Sequence, residues 1–154
     1  MVLLHARALL VGTPEGATAY LDADVREPEK ILASATRTLD FTQPIALMML
    51  GIMGNVLDFD EAYAIVQQLI DAMPSGSYLA LSDGTVANKD LRTFTGNTEG
   101  FVYRIRSPEE ITRFFDGLEL LEPGVVSVSQ WRPTPPGCQL PDAVEQFGGV
   151  ARKP

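Results

Sequence analysis

Hydrophobic positions are concentrated between residues 43 and 85. A continuous apolar run covers residues 44–53, an amphipathic segment covers 61–73, and a second apolar run covers 78–82. An unbroken apolar run of this length is typical of a strand covered on both faces. Two such strands joined by a helix predict a parallel β-α-β crossover. The chain is therefore predicted to be α/β, and ligands of such sheets bind beyond the carboxyl ends of the strands, here residues 50–56 and 82–85.

Weaker patterns predict the flanking elements. Apolar positions at helical spacing predict a helix over residues 1–10, and residues 18–24 predict a short strand that ends in Asp22 and Asp24. Pro28 suits the first turn of a helix, for which we expect a buried stripe formed by four residues: Ile31, Leu32, Ala35 and Leu39.

The second half of the chain shows a clear helix start and a β-rich tail. Residues 86–106 have no period and are predicted to form a lid or a poorly ordered connection. Ser107 to Glu110 reads as a capping box with proline at the first helical position. Residues 125–131 and 147–151 predict two consecutive strands, hence an antiparallel hairpin at the sheet edge.

Composition narrows the class of protein. A length of 154 residues suits one domain, and a net charge of -8 argues against unassisted binding to nucleic acid. The single cysteine, Cys138, excludes an internal disulfide and a cysteine-built zinc site. No apolar run approaches the ~20 residues of a membrane span, and no signal peptide is visible. These features predict a cytoplasmic protein.

Few residues are candidates for chemistry. Asp22 and Asp24 alternate along the predicted strand, so they point to opposite faces and are not expected to act as a carboxylate dyad. Asp24 is either a solvated acid or the acceptor for a ligand hydroxyl or amino group. His5 is the only histidine, and no other ligand or nucleophile is placed to use it. Gly51, Gly54 and Asn55 lie in a turn whose backbone either approaches a ligand closely or simply ends the strand. The pattern alone thus predicts a ligand site at the strand ends but names no reaction.

Several stretches together resemble one family. They are HARALL at 5–10, TPEG at 13–16, YLDADVREPE at 20–29, AIV at 64–66, PSGSYL at 74–79, RFFDGL at 113–118, WRP at 131–133 and GGVARK at 148–153. The chain resembles the actinobacterial S-adenosylmethionine-dependent methyltransferase family that was once catalogued as a domain of unknown function. The resemblance implies a partial Rossmann-like sheet, mostly parallel with a C-terminal antiparallel hairpin, and S-adenosylmethionine as the cofactor.

The resemblance also implies that part of the domain is missing. The first strand with its Gly-rich loop and the second strand with its acidic end have no counterpart, so residues 1–154 are expected to be one N-terminally incomplete domain. Three alternatives would give this same sequence. Either the start is assigned at an internal methionine, here Met1, or the gene is a fragment, or the protein is split and completed by another chain. A further strand is missing between those of 18–24 and 45–52, and the unpaired edges that remain would permit self-association.

Site residues follow from the resemblance one by one. Asp24 and Val25 match the strand end that contacts adenine, and Leu50 and Gly51 match a strand end whose backbone faces the methionine part. Asn55 is a candidate contact, since the turn here departs from the family's histidine-containing sequence. No catalytic base is assigned, because methyl transfer needs mainly alignment of donor and acceptor. The alternatives are a non-catalytic remnant or interaction module that binds no cofactor, and a different nucleotide-using α/β enzyme. The methyl acceptor is unknown.

Overall fold

The computed structural model describes residues 16–85, 93–95, 102–133 and 141–154. The predicted helix over 1–10, His5 and Cys138 lie outside these residues. The described helices are α1 (Pro28–Ala35), α2 (Phe59–Asp71) and α3 (Pro108–Arg113). The strands are β1 (Ala46–Leu50), β2 (Tyr78–Gly84), β3 (Thr93–Thr95), β4 (Val102–Arg104), β5 (Glu119–Leu120), β6 (Val126–Ser127) and β7 (Gln146–Arg152).

The main sheet is mixed, with β1 and β2 parallel and β7 antiparallel to β2. The order is β1-β2-β7-β5, and β6 pairs with a second part of β7. The register sets Ala46 opposite Tyr78 and Leu50 opposite Ser82, so both parallel strands end at the same edge. The predicted α/β crossover and the antiparallel C-terminal strands are confirmed.

Helix α2 covers one face of this sheet. Its N-cap is Asp58, whose side chain accepts a hydrogen bond of 2.8 Å from the backbone N–H of Glu61. The predicted amphipathic segment over 61–73 buries its apolar side chains, namely Ile65, Val66, Leu69, Ile70 and the following Met73. These side chains pack in one core with Met49, Leu79, Leu81 and Ala151 of the sheet.

The face of β1 turned away from α2 is open, so the expectation that β1 is covered on both faces was wrong. Met48 is 64% exposed and Leu50 is 59% exposed, whereas Met49 between them is 4% exposed. This period-two alternation is that of a sheet packed on one side only. The run is apolar throughout, but a strand is covered on both faces only where other elements supply two layers.

The predicted strand over 18–24 is absent, since these residues form no regular structure. A strand is held by the ladder of a neighbour, and within the described ranges none pairs with this segment or with the outer edge of β1. The apolar stripe of α1 was also overestimated. Ile31 and Leu32 are partly buried against the core, but Leu39 is 46% exposed and lies beyond the end of the helix.

The segment after β2 is more regular than its sequence suggested. Strands β3 and β4 form an antiparallel pair that no periodicity predicted. The capping box of α3 is confirmed in both directions, with Ser107 accepting from the N–H of Glu110 and Glu110 accepting from that of Ser107. The strand expected over 125–131 is only Val126–Ser127, followed by a 3-10 turn over Val128–Gln130.

Candidate functional site

The turn at the carboxyl end of β1 carries three of the predicted contacts: Leu50, Gly51 and Asn55. The N–H of Gly51 donates to the carbonyl of Ser82 at 2.8 Å, which ends the parallel ladder. Gly51 then has φ +66°, a left-handed conformation that glycine adopts without strain, and no atom lies within 4 Å of where a Cβ would be. A 3-10 turn over Met53–Asn55 follows. The backbone at Gly51 is therefore open to approach from outside.

Asp24 presents an exposed carboxylate beside this turn. Its Oδ1 accepts from the backbone N–H of Arg26 at 2.9 Å and from Arg26 Nη1 at 3.3 Å. The backbone hydrogen bond from Arg26, aided by the charge of its guanidinium, holds the pKa of Asp24 below its usual value. Asp24 is consequently an ionised hydrogen-bond acceptor at neutral pH, and about half of its side chain reaches solvent.

Arg26 connects the two predicted halves of the site. Its Nη1 lies 3.3 Å from Asp24, its Nη2 donates to the backbone carbonyl of Asn55, and its Nε is 4.0 Å from Glu61. The structure thus brings Asp24 and Asn55 together although they are far apart along the chain. Sequence reasoning missed Arg26, and the only available signal was its place two residues after an acid at a predicted strand end.

The remaining predicted contacts are placed differently. The side-chain amide of Asn55 donates to the carbonyl of Ile52 at 2.9 Å, so this group is directed into its own turn. Val25 is partly buried and packs against the core. The side chain of Leu50 lines a cavity of about 330 Å³ on the open sheet face, together with Trp131 and Val150. Val25, Leu50 and Asn55 would therefore act mainly through their backbone or through apolar contact.

A buried polar cluster lies beneath the same edge of the sheet. Asp83, near the end of β2, is fully buried, and its Oδ1 accepts hydrogen bonds from the N–H of Gly84 at 3.1 Å and from the hydroxyl of Tyr103. Its Oδ2 lies 3.7 Å from Nη1 of Arg106, which is also buried. Burial raises the pKa of Asp83 more than its partners lower it. Burial likewise lowers the pKa of Arg106, and burial with the adjacent carboxylate raises that of Tyr103.

This cluster was only partly visible in the sequence. Asp83 falls within residues 82–85, which the crossover pattern marked as a strand end, and an acid that closes an apolar strand is an available signal. Tyr103 and Arg106 lie in the segment without a period, where nothing distinguished them from solvated residues.

Two features are absent from the described part of the chain. Over the ranges given above, no group of three or more His, Cys, Asp or Glu side chains is arranged to hold a metal ion. In the same residues, no helix combines the length and the apolar character needed to cross a membrane.

Comparison with known proteins places the chain in a family context. A family model described as S-adenosyl methyltransferase matches residues 1–154. Among solved structures, a DUF574 family protein from Streptomyces avermitilis MA-4680 is 40% identical, with a TM-score of 0.83. A proposed methyltransferase from Thermobifida fusca YX is 36% identical, with a TM-score of 0.82.

These relatives are longer than the chain. Each alignment covers 99% of this chain, but only 62% of the Streptomyces protein and 59% of the Thermobifida protein. The chain thus spans about three fifths of their length, in agreement with the expectation that it corresponds to part of the family domain. No curated protein matches it.

Proposed function

Because the chain belongs to the S-adenosyl methyltransferase family, we propose that it binds S-adenosylmethionine at the carboxyl end of β1 and serves in methyl transfer. The observation that carries this proposal is the pairing of an ionised, exposed Asp24 with the open turn at Gly51, joined through Arg26. Two sequence-distant segments that face one edge of a sheet are the usual setting of a ligand site in such folds. The cofactor supplies an activated methyl group.

The residues present suit the polar groups of an adenosine. The Asp24 carboxylate can accept a hydrogen bond from an exocyclic amine or a ribose hydroxyl, and its lowered pKa keeps it in the accepting form. Backbone groups near Val25 and Gly51 would supply further contacts, and the absence of a Cβ at Gly51 permits close approach. In this proposal Leu50 contributes apolar contact and Asn55 holds the turn in shape.

The proposal assigns no catalytic base to the chain. Attack on an activated methyl group depends chiefly on holding donor and acceptor in line. The contribution of Asp24, Gly51 and Arg26 would therefore be to bind and orient. We further propose a single domain in a cytoplasmic protein that binds no nucleic acid unaided, which accords with its net charge of -8.

A calorimetric titration tests this function. S-adenosylmethionine and S-adenosylhomocysteine are titrated into the 154-residue chain, its Asp24→Ala variant and its Asp22→Ala variant. Asp22 is a matched control, because it is an exposed acid two residues away from Asp24. We expect micromolar binding, about -8 kcal/mol, weakened at least tenfold by Asp24→Ala and unchanged by Asp22→Ala. A folded chain that binds neither ligand contradicts the proposal, as does equal weakening by both variants.

One observation favours a second function, that of an interaction module without cofactor. Met48 and Leu50 expose a large apolar surface beside the outer edge of β1, which no described residue pairs. Exposed apolar patches at open strand edges promote association with other chains or with a second copy. Under this alternative the titration gives no heat of binding, and sedimentation of the same sample shows a concentration-dependent dimer.

A further inference from the structure

Arginine side chains from distant segments hold the carbonyl groups of the turn after β1. Arg106 donates through Nη1 to the carbonyl of Met53 at 2.7 Å and through Nη2 to that of Val56 at 2.6 Å. Arg104 Nη1 donates to the carbonyl of Leu57 at 2.7 Å. Arg26 donates to the carbonyl of Asn55, so that three arginines together donate to four carbonyls between residues 53 and 57. The shape of this turn is thus set by tertiary contacts.

Burial of the Arg106 guanidinium costs desolvation free energy, which its contacts must offset. It is 1% exposed, and its guanidinium lies 6.0 Å from the ring of Phe59 and 5.6 Å from that of Phe114. A buried charge is tolerated only when it is paired and hydrogen-bonded. Here two of its hydrogen bonds go to the turn, while Asp83 at 3.7 Å supplies the counter-charge. The fixed planar fork of arginine suits two carbonyls at once, which lysine cannot match.

Tyr103 packs against the turn at Gly54. Its ring lies directly over Gly54, so close that a Cβ at position 54 would overlap ring atoms. Its hydroxyl donates to the buried carboxylate of Asp83, which fixes the ring from its far end. A side chain at position 54 therefore fits only if the Tyr103 ring is displaced, independently of backbone conformation. The turn is held on its inner side by Tyr103 and Arg106, while Leu50 and Gly51 on its outer side remain exposed.

From this arrangement we propose that Tyr103, Arg104 and Arg106 are positioning residues for the cofactor site. They fix the turn over residues 53–57, and through it the exposed backbone at Gly51. This inference rests on the proposed function, since it assigns the turn to cofactor binding. It adds that the segment bearing β4, which the sequence predicted to be a lid or a poorly ordered connection, pre-organises the site before ligand arrives and so lowers the ordering cost of binding.

Hydrogen exchange in the free protein is the first readout, because it needs no ligand. The amide N–H groups of Asn55 and Val56 donate within the turn at 3.1 and 3.0 Å, while those of Leu79 and Leu81 lie in β2. Tyr103→Ala should speed exchange at Asn55 and Val56 at least tenfold more than at Leu79 and Leu81, because the general loss of stability acts on all four amides and the loss of the contact acts on the turn alone. Unchanged exchange in the turn, or equal acceleration in β2, overturns the proposal, since the latter reports only general loss of stability.

Two further variants distinguish a specific loss of the contact between Tyr103 and the turn from a general loss of stability. Gly54→Ala should also release the turn, because its methyl group displaces the Tyr103 ring. In the double variant Gly54→Ala/Tyr103→Ala the space is restored, so exchange should match that of Tyr103→Ala alone. Additive effects in the double variant contradict the steric argument. Tyr78→Ala, at the opposite end of β2 and 39% exposed, is the matched control and should leave the turn unchanged.

Titration of S-adenosylhomocysteine into the same variants is the second readout. If the parent chain binds, Tyr103→Ala should weaken binding at least tenfold and Tyr78→Ala should not. A loosened turn with unchanged affinity overturns the positioning role. If the folded parent chain does not bind, the proposed function fails for this chain, and the positioning role fails with it. The exchange data still decide whether Tyr103 holds the turn over residues 53–57.

Discussion

Replacing Asp83 by Asn separates the charge of the buried carboxylate from its shape. Asn keeps an oxygen that can accept from the N–H of Gly84 and from the hydroxyl of Tyr103, but it removes the negative charge beside Arg106. Asp83→Ala removes both. The difference between the two variants measures what the hydrogen bonds and the packing of the polar group contribute, and the pH dependence of the difference between the parent chain and Asp83→Asn measures what the charge contributes.

The structure sets the expected magnitudes. At 3.7 Å the two charges attract by roughly 4.5 kcal/mol for an effective dielectric constant of ~20. Desolvation of each buried ion opposes this by several kcal/mol. The raised pKa of Asp83 means that desolvation disfavours the ionised carboxylate by more than its hydrogen bonds and Arg106 favour it. We therefore expect Asp83→Ala to lower the free energy of unfolding by about 3–5 kcal/mol, and Asp83→Asn to lower it by clearly less.

The pKa shift also fixes the direction of the pH dependence. A carboxyl group whose pKa is higher in the folded state binds its proton more tightly there. Its contribution to stability is complete below the unfolded pKa of about 3.9 and is lost as the pH rises through the folded pKa. Asn does not titrate. The deficit of Asp83→Asn relative to the parent chain should therefore be largest at the acid end and narrow as the pH rises.

Urea unfolding of the parent chain and both variants, followed by far-ultraviolet circular dichroism between about pH 4 and pH 8, provides the measurement. Contributions of other titrating groups cancel in the differences as long as the denaturant dependence is the same for each protein. A deficit of Asp83→Asn that widens with rising pH refutes the reasoning. It would mean that attraction to Arg106 outweighs burial and that the folded state favours the ionised carboxylate.

Two further predictions concern stability alone. Gly148→Ala should lower the free energy of unfolding by about 1–3 kcal/mol, because its Cβ would lie 2.6 Å from the carbonyl oxygen of Leu81 in β2. Gly84→Ala is the control, since its Cβ meets the Tyr103 ring only at an ordinary 3.7 Å; equal losses in urea unfolding would contradict the steric argument. Ser107→Ala should cost about 1 kcal/mol by removing one half of the α3 capping box, and an unchanged thermal midpoint would show that the cap does not contribute.

The central crossover could be predicted from the sequence because its signals are local. The apolar runs, the period of α2 and the breaks between them depend only on residues within one turn or one strand of each other. The same is true of the capping box at Ser107, where the partners are three residues apart. At these places the local preference and the tertiary environment agree, so the prediction was confirmed.

Other features depended on neighbours that no local pattern contains. Residues 18–24 have the composition of a strand, yet they form none in the described structure, because a strand also requires a paired edge. Met48 and Met49 are alike in sequence, but one is exposed and the other buried according to which face α2 covers. The short strands β3 and β4 likewise exist through pairing with each other.

The candidate site divides in the same way. The sequence by itself marked Asp24 as the acid that closes a predicted strand, although that strand does not form, and it marked the turn near Gly51 as the end of an apolar run that is locally encoded. Only the tertiary structure decided that Arg26 joins them and that Tyr103 and Arg106 hold the turn over residues 53–57. Hydrogen bonds between segments some 50 residues apart leave no periodic trace in a single sequence, because they are selected by three-dimensional proximity after the sheet has formed.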